Sequence, residues 1–205
     1  MNNNNENFLY QLEELKNLKV DILREKFQVI CEGIKVNQEE VYNFDSEDIK
    51  IGDIVFGAVL DLHSPDQPMQ RFPFRIISKD YIYNTISLLG LRPTGKYEDT
   101  VNLKEAKESK WDVAFIINHK LVYLKDCSIM ENEFASILLK SDYKNHVLLA
   151  TGTPFWLSGD YENLAKCRVI NSSGCSGNCT ENFSAYAIPF VKIHNQLNSP
   201  YRYPF

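Results

Sequence analysis

The hydrophobic pattern changes period once near the start of the chain. Phe8, Leu12, Leu15, Leu18, Ile22 and Val29 recur three, four or seven residues apart, which predicts one face of a helix running to about Ile30. Glu13, Glu14, Lys16, Lys19, Arg24 and Glu25 occupy much of the remaining surface, and Gly33 is a natural stop. Residues 2–6 form an Asn-rich polar tip that nothing forces to order. A lone apolar stripe on a helix needs something to cover it. Two coverings satisfy the pattern: a second copy of the chain, in a short coiled coil of about three heptads with Lys at some seam positions, or the chain's own domain.

Beyond Gly33 the period becomes that of strands. Residues 34–36 and 40–44 read as short extended pieces and 45–48 as a polar turn, followed by a β-branched run over 49–60 in which Gly52 and Gly57 mark turns or a bulge. Pro65, Pro68 and Pro73 hold a loop over 61–73 open. Residues 74–78 and 81–89, joined by a turn around Lys79 and Asp80, form the clearest hairpin. A second hairpin joins 111–117 to 121–124 through Asn118-His119-Lys120. A loop with Pro93 and Gly95 spans 91–102, and the charged residues 103–110 predict a brief exposed helix. Phe134, Ile137, Leu138 and Leu139 place a second helix over 131–140, and strands over 147–150, 154–158, 165–170 and 185–193 follow.

Few helices among irregularly spaced strands, with no internal repeat, predict an α+β fold of strand-rich mixed or antiparallel sheets. The expected organisation is an N-terminal helix over 1–32, a candidate oligomerisation segment, and one globular domain over 33–205. Composition agrees: of 205 residues 44% are hydrophobic and 24% charged, which demands a buried core, and 11 Tyr with 12 Phe favour half-buried strands over a helical bundle.

A net charge of −5 and the absence of a basic, aromatic-interleaved cluster argue against nucleic acid as a partner. The N-terminal residues lack the basic and apolar regions of a secretion signal, and no run approaches the length of a membrane span, so synthesis in the cytoplasm without membrane insertion is expected. Asn-x-Ser/Thr sequons at Asn171, Asn178 and Asn182 then reflect an Asn-rich composition.

Cys31, Cys127, Cys167, Cys175 and Cys179 are odd in number, so free thiols are the default. Cys167, Cys175 and Cys179 cluster and are the candidate ligands of a zinc ion, but one Cys-x3-Cys pair and a third Cys upstream leave a fourth ligand to be found, from His146, His194 or elsewhere. A local disulfide between Cys175 and Cys179 and unligated thiols are the alternatives. His63, between Asp61 and Asp66, has the composition of a general base with an orienting carboxylate, and also that of an ordinary polar loop. Ser158 is not in a Gly-x-Ser-x-Gly elbow, and residues 174–177 follow no phosphate-cradle pattern. Glu105, Glu108, Glu131 and Glu133 read as solvated helix-terminal charges.

The last third runs Pro154-Phe155-Trp156-Leu157-Ser158, then Cys167 through Gly174, then Ser184-Ala185-Tyr186-Ala187-Ile188-Pro189-Phe190 and a final apolar strand. This order resembles the ending of C-type-lectin-like domains related to formylglycine-generating enzymes, as found in phage tail and bacterial binding proteins. Residues 51–57 and 74–80 resemble openings in that group, while about 90–150 shows no such match. The calcium-binding pattern of sugar-binding lectins and the redox cysteine pair of the generating enzymes are absent. The resemblance therefore implies a scaffold that displays loops rather than an activity. Trp156, Ser158, Asp160 and Tyr161 are then the candidate ligand-binding residues.

The expectation is a non-enzymatic binding or structural module, a candidate virion or appendage component, with a protein or glycan ligand, no cofactor, and homo-oligomerisation through the N-terminal helix. The alternative is a metal-binding or thiol-dependent protein or enzyme using the C-terminal cysteines. A third reading is a regulator that binds another protein through the loops at 61–73 and 91–102.

Overall fold

The computed structural model describes residues 3–62, 69–94, 99–131, 134, 154–159, 169–171, 174–176 and 183–194. The fold is α+β. A long helix α1 (Asn3–Tyr42) precedes β1 (Asn43–Phe44), β2 (Ile54–Asp61), β3 (Met69–Asp80) and β4 (Thr85–Gly90). A short helix α2 (Leu103–Glu108) leads to β5 (Trp111–Ile117) and β6 (Lys120–Cys127), and β7 (Phe155–Trp156), β8 (Val169–Asn171), β9 (Gly174–Ser176) and β10 (Phe190–His194) complete the described elements. The larger sheet is a mixed, curled half-barrel. β6 occupies one edge of β5 along its length, so β2 and β1 share the other edge, β2 against residues 111–114 and β1 in parallel against 116–117. β3, β4 and β10 continue the sheet in antiparallel order, and β7, β8 and β9 form a small second sheet.

Alternation along the strands assigns the two faces of the larger sheet. Val55, Val59, Phe72, Phe74, Ile76, Ile86, Leu88, Val113, Phe115, Val191 and Ile193 point into the main core, where Phe74 meets Phe72 and Phe115 edge-on. The small sheet alternates as well. Trp156 and Val169 join this core, while Phe155, Leu157 and Ile170 join a second cluster with Ile77, Leu89 and Phe190 on the opposite face of β3, β4 and β10.

α1 covers that opposite face over β2, β5 and β6. Leu23, Phe27, Ile30, Cys31 and Ile34 pack against Ala58, Leu60, Ala114, Ile116, Leu121 and Tyr123. An ion pair fixes the position: Arg24 Nε donates to Asp112 Oδ2 at 2.7 Å and Nη2 to Oδ1 at 3.2 Å, and Nη2 also reaches Asp126 Oδ1 at 2.7 Å. The Asp112 side chain is fully buried. It is tolerated because Tyr123 Oη and the Asp126 amide also donate to it. A bulge in β6 supplies the amide, since β6 carries one residue more than β5 between paired positions and Asp126 sits there at φ 54°.

Several expected boundaries shift. The helix does not stop at Gly33: residues 34–36 and 40–42, expected as extended, are helical. The Gly33 carbonyl accepts from the Asn37 side chain at 2.8 Å, and burial of Cys31 and Ile34 outweighs the roughly 1 kcal/mol cost of an internal glycine. The first hairpin turns at 81–84 rather than at Lys79-Asp80, because Asp80 Oδ1 accepts the amides of Ile82 and Tyr83. Pro73, expected in a loop, lies within β3 opposite Phe56, and its carbonyl accepts from Leu91 at 3.0 Å. The second hairpin closes through Asn118 and His119, both at positive φ, the backbone that a tight two-residue connection requires. The brief helix expected in 103–110 is α2, with a reciprocal cap between Asn102 and Glu105. Of the helix expected over 131–140, Glu131 bridges Ser158 and Phe134 closes a short turn on Glu131; the remainder, like the strand at 147–150, lies outside the described residues.

Two outcomes follow for stability. Gly57 lies where β2 crosses β5, and a Cβ there would stand 2.7 Å from a Phe115 ring carbon and 2.9 Å from the Ala114 carbonyl oxygen. Gly57→Ala should destabilise the fold by about 2 kcal/mol or more, read from the denaturant midpoint, and an unchanged midpoint would contradict the close approach. Arg24→Met should cost roughly 3 kcal/mol by leaving Asp112 buried without its cation, and Asp112→Asn in the same chain should recover part of that loss.

Candidate functional site

The part of the sheet's second face that neither α1 nor the second apolar cluster covers is polar. It lies at the hairpin end of β3, β4 and β10. Register builds it: Ser78 pairs with Ser87, which pairs with Lys192, and one step on Asp80 pairs with Thr85, which pairs with His194. The side chains of these two rungs fall on the same face by strand alternation. Together with Tyr83 and Phe134 they line an open cleft of about 540 Å³. A bulge in β3 between Ile76 and Ser78 lets Ile77 join the apolar cluster while keeping Ser78 and Asp80 in phase with β4.

Lys192, Asp80, Thr85 and His194 of the cleft have partners within the protein. Lys192 Nζ pairs with Glu131 Oε2 at 2.8 Å and stands 4.7 Å over the Phe134 ring, which packs against Phe190. Asp80 Oδ1 caps the turn. Thr85 Oγ1 lies 3.2 Å from the Tyr83 carbonyl and 3.1 Å from His194 Nδ1. A carbonyl only accepts, so the single Thr85 proton goes to Tyr83, and His194 Nδ1 must donate to Thr85. That leaves Nε2 of the neutral ring as a lone-pair acceptor. At the cleft mouth the turn exposes Tyr81, Ile82 and Tyr83, each at least 75% accessible.

Of the residues singled out from sequence, His194 lines this cleft, whereas Trp156 and Ser158 are not among its lining residues. Trp156 is wholly buried and its indole N–H donates to the Val101 carbonyl at 2.8 Å, so it serves the main core. The Ser158 amide donates to the Met130 carbonyl at 2.7 Å, and its side chain is half-buried. Asp160, Tyr161, Cys167 and Cys179, with His63, Asp66 and His146, lie outside the described residues, and Cys175 is placed only as a backbone position in β9. Among the described residues no group of three or more His, Cys, Asp or Glu could hold a metal ion. Cys31 and Cys127 carry free thiols, each pushed up to about 12 by burial, with further contributions from Glu32 at Cys31 and from Asp112 and Asp126 at Cys127. Neither is a thiolate at neutral pH.

Of the cleft residues only His194 stood out in the sequence as chemistry, as a candidate fourth zinc ligand. Two signals were present. The alternation Thr85-Ile86-Ser87-Leu88 places hydroxyls opposite the core, and Tyr81-Ile82-Tyr83 sets large apolar side chains in a turn.

Comparisons with protein-family models, curated proteins and solved structures give no match to this chain. No helix among the described residues is long and apolar enough to cross a membrane.

The hydrogen-bond assignment at His194 has a spectroscopic consequence. Nitrogen-resolved spectra of the neutral His194 ring should show its proton on Nδ1, and Thr85→Val should abolish that preference.

Proposed function

We propose that the chain is a non-enzymatic binding module whose cleft on β3, β4 and β10 takes an uncharged, polyhydroxylated ligand, a glycan, and that it works as a homo-oligomer held through its N-terminal helix. The observation that carries the reading is the pair of polar rungs. The half-buried Ser78 hydroxyl, the exposed His194 imidazole and the Lys192–Glu131 ion pair set donors and acceptors side by side over the buried Ser87, with exposed tyrosines at the mouth. Such a surface suits ligand hydroxyls, which both give and accept, better than a charged group.

The same arrangement disfavours proton transfer. Asp80 spends a carboxylate oxygen on the turn, Thr85 gives its proton to a carbonyl, and Lys192 is paired. Among the cleft's described residues the hydroxyl beside an imidazole is Thr85, 3.1 Å from His194 Nδ1. Its proton is directed to the Tyr83 carbonyl rather than to the ring, which is not the arrangement of an activated nucleophile. The C-type-lectin-like resemblance of the last third points the same way, toward a displayed scaffold of the kind carried on virions and appendages. Oligomerisation draws support from an apolar line that α1 keeps on the side away from its own domain.

Titration of the full chain with soluble chito-, xylo- and malto-oligosaccharides, followed by backbone amide shifts, checks the glycan reading. At least one series should shift Ser78, Ser87, Lys192 and His194 together, and His194→Ala should weaken that binding about tenfold. Shifts confined to other residues, or binding indifferent to His194→Ala, would remove the cleft as the site. Release of shortened sugar during the titration would make the protein an enzyme instead.

A further inference from the structure

The docked face of α1 is not the stripe that the sequence displays most regularly. Leu18, Ile22, Val29 and Val36 are 57%, 45%, 70% and 83% exposed, although the helix is anchored along Leu23, Phe27, Ile30, Cys31 and Ile34. At about 100° per residue the two lines lie roughly 150° apart, so the exposed line faces away from the sheet. Its members Ile22, Val29 and Val36 are seven residues apart, and the spacing continues upstream in the sequence through Leu15 and Phe8. A helix that is already docked retains a second apolar seam at the coiled-coil period, about 27 Å long from residue 18 to 36.

The flanking charges identify what covers it. With Leu15, Ile22, Val29 and Val36 as the a positions of a heptad, Leu18 is a d position, Glu14 and Asp21 are g, and Lys19 and Lys26 are e. All four charged residues are exposed. In a parallel pair of identical helices each g side chain faces the e side chain of the next heptad on the other helix. Glu14 then meets Lys19 of the second copy, and Asp21 meets Lys26. In an antiparallel pair g faces g and e faces e, which sets acid against acid and lysine against lysine. The remaining d positions are Glu25 and Glu32, which place like charges opposite each other and loosen the downstream half of the seam.

From the outward seam and its matched flanks we infer that a second copy of this chain pairs with α1 in parallel and in register, strongest over residues 14–26. The pairing rests on the oligomeric reading above and adds its orientation, stoichiometry and charge code. The two domains lie on the outer sides of the helix pair, so neither their sheets nor their clefts obstruct the contact.

Sedimentation of the full chain over a wide concentration range should show a monomer–dimer equilibrium. Ile22→Glu with Val29→Glu should abolish the dimer without moving the circular dichroism melt of the monomer, because both side chains point outward. Lys19→Glu with Lys26→Glu should weaken self-association about tenfold or more, and so should Glu14→Lys with Asp21→Lys, while an equal mixture of the two variants should restore pairing. Glu25→Leu with Glu32→Leu should tighten it by a similar factor. Chains carrying donor or acceptor dyes at the N-terminus should give high transfer when mixed. A dimer with low transfer, or one that ignores the charge reversals, would overturn the parallel register while leaving oligomerisation in place. A monomer at every concentration would overturn both.

Discussion

Asp112 is the constraint around which the described parts of this molecule are arranged. A fully buried carboxylate near the start of β5 is costly unless its oxygens are saturated, and the chain saturates them from two directions. β6 contributes Tyr123 and, through its bulge, the Asp126 amide; α1 contributes the Arg24 guanidinium from 88 residues away. Burial and the bond to Asp112 push the Tyr123 phenol well above its ordinary range, so it remains a donor at any physiological pH. The apolar contacts of Phe27 and Cys31 would let the helix slide or rotate on the small Ala58 and Ala114 surface. The forked pair removes that freedom, because planar guanidinium and planar carboxylate match in few orientations.

A fixed rotation of α1 has consequences on both of its sides. The inward line is committed to β2, β5 and β6, which fixes where the outward line points. On the sheet, α1 closes one half of the second face, and the cluster around Ile77, Leu89 and Phe190 closes part of the other. What is left open is the polar corner at the hairpin end. Among the described residues the cleft is what the apolar coverings leave bare, and half-buried Ser78 and Thr85 lie where a hydrophobic residue would have incomplete cover.

Legibility followed the range of the interactions involved. The strands of the two hairpins could be read directly because alternation is local, although the first turn lies at 81–84 rather than at Lys79-Asp80, and the α+β class followed from them. The helix was legible as a helix, but its stripe was not the one that docks: Phe8, Leu15, Ile22 and Val29 repeat more regularly than Leu23, Phe27, Ile30 and Ile34, and periodicity does not reveal which of two apolar lines meets the sheet. Gly33 read as a stop because a local signal was taken without the tertiary packing that overrides it. Trp156 drew attention as a large aromatic near a Gly-rich loop, yet its size is what the core uses. The cleft was hidden because its rungs exist only once β10 has paired with β4, and no window of sequence contains both.

That last pairing bears on how the protein acquires its shape. Thr85 and His194 meet across 109 residues, whereas each hairpin closes across a few. Closing so long a loop is entropically slow, so β3 with β4 and β5 with β6 can form early while β10 arrives late. Without β10 the outer edge of β4 is an unpaired row of amides and carbonyls beside Leu88 and Leu89, the kind of edge that invites pairing with another chain. The arrival of β10 covers that edge and brings Lys192 and His194 beside Ser87 and Thr85, so an intermediate lacking β10 has only the β3–β4 half of the polar corner.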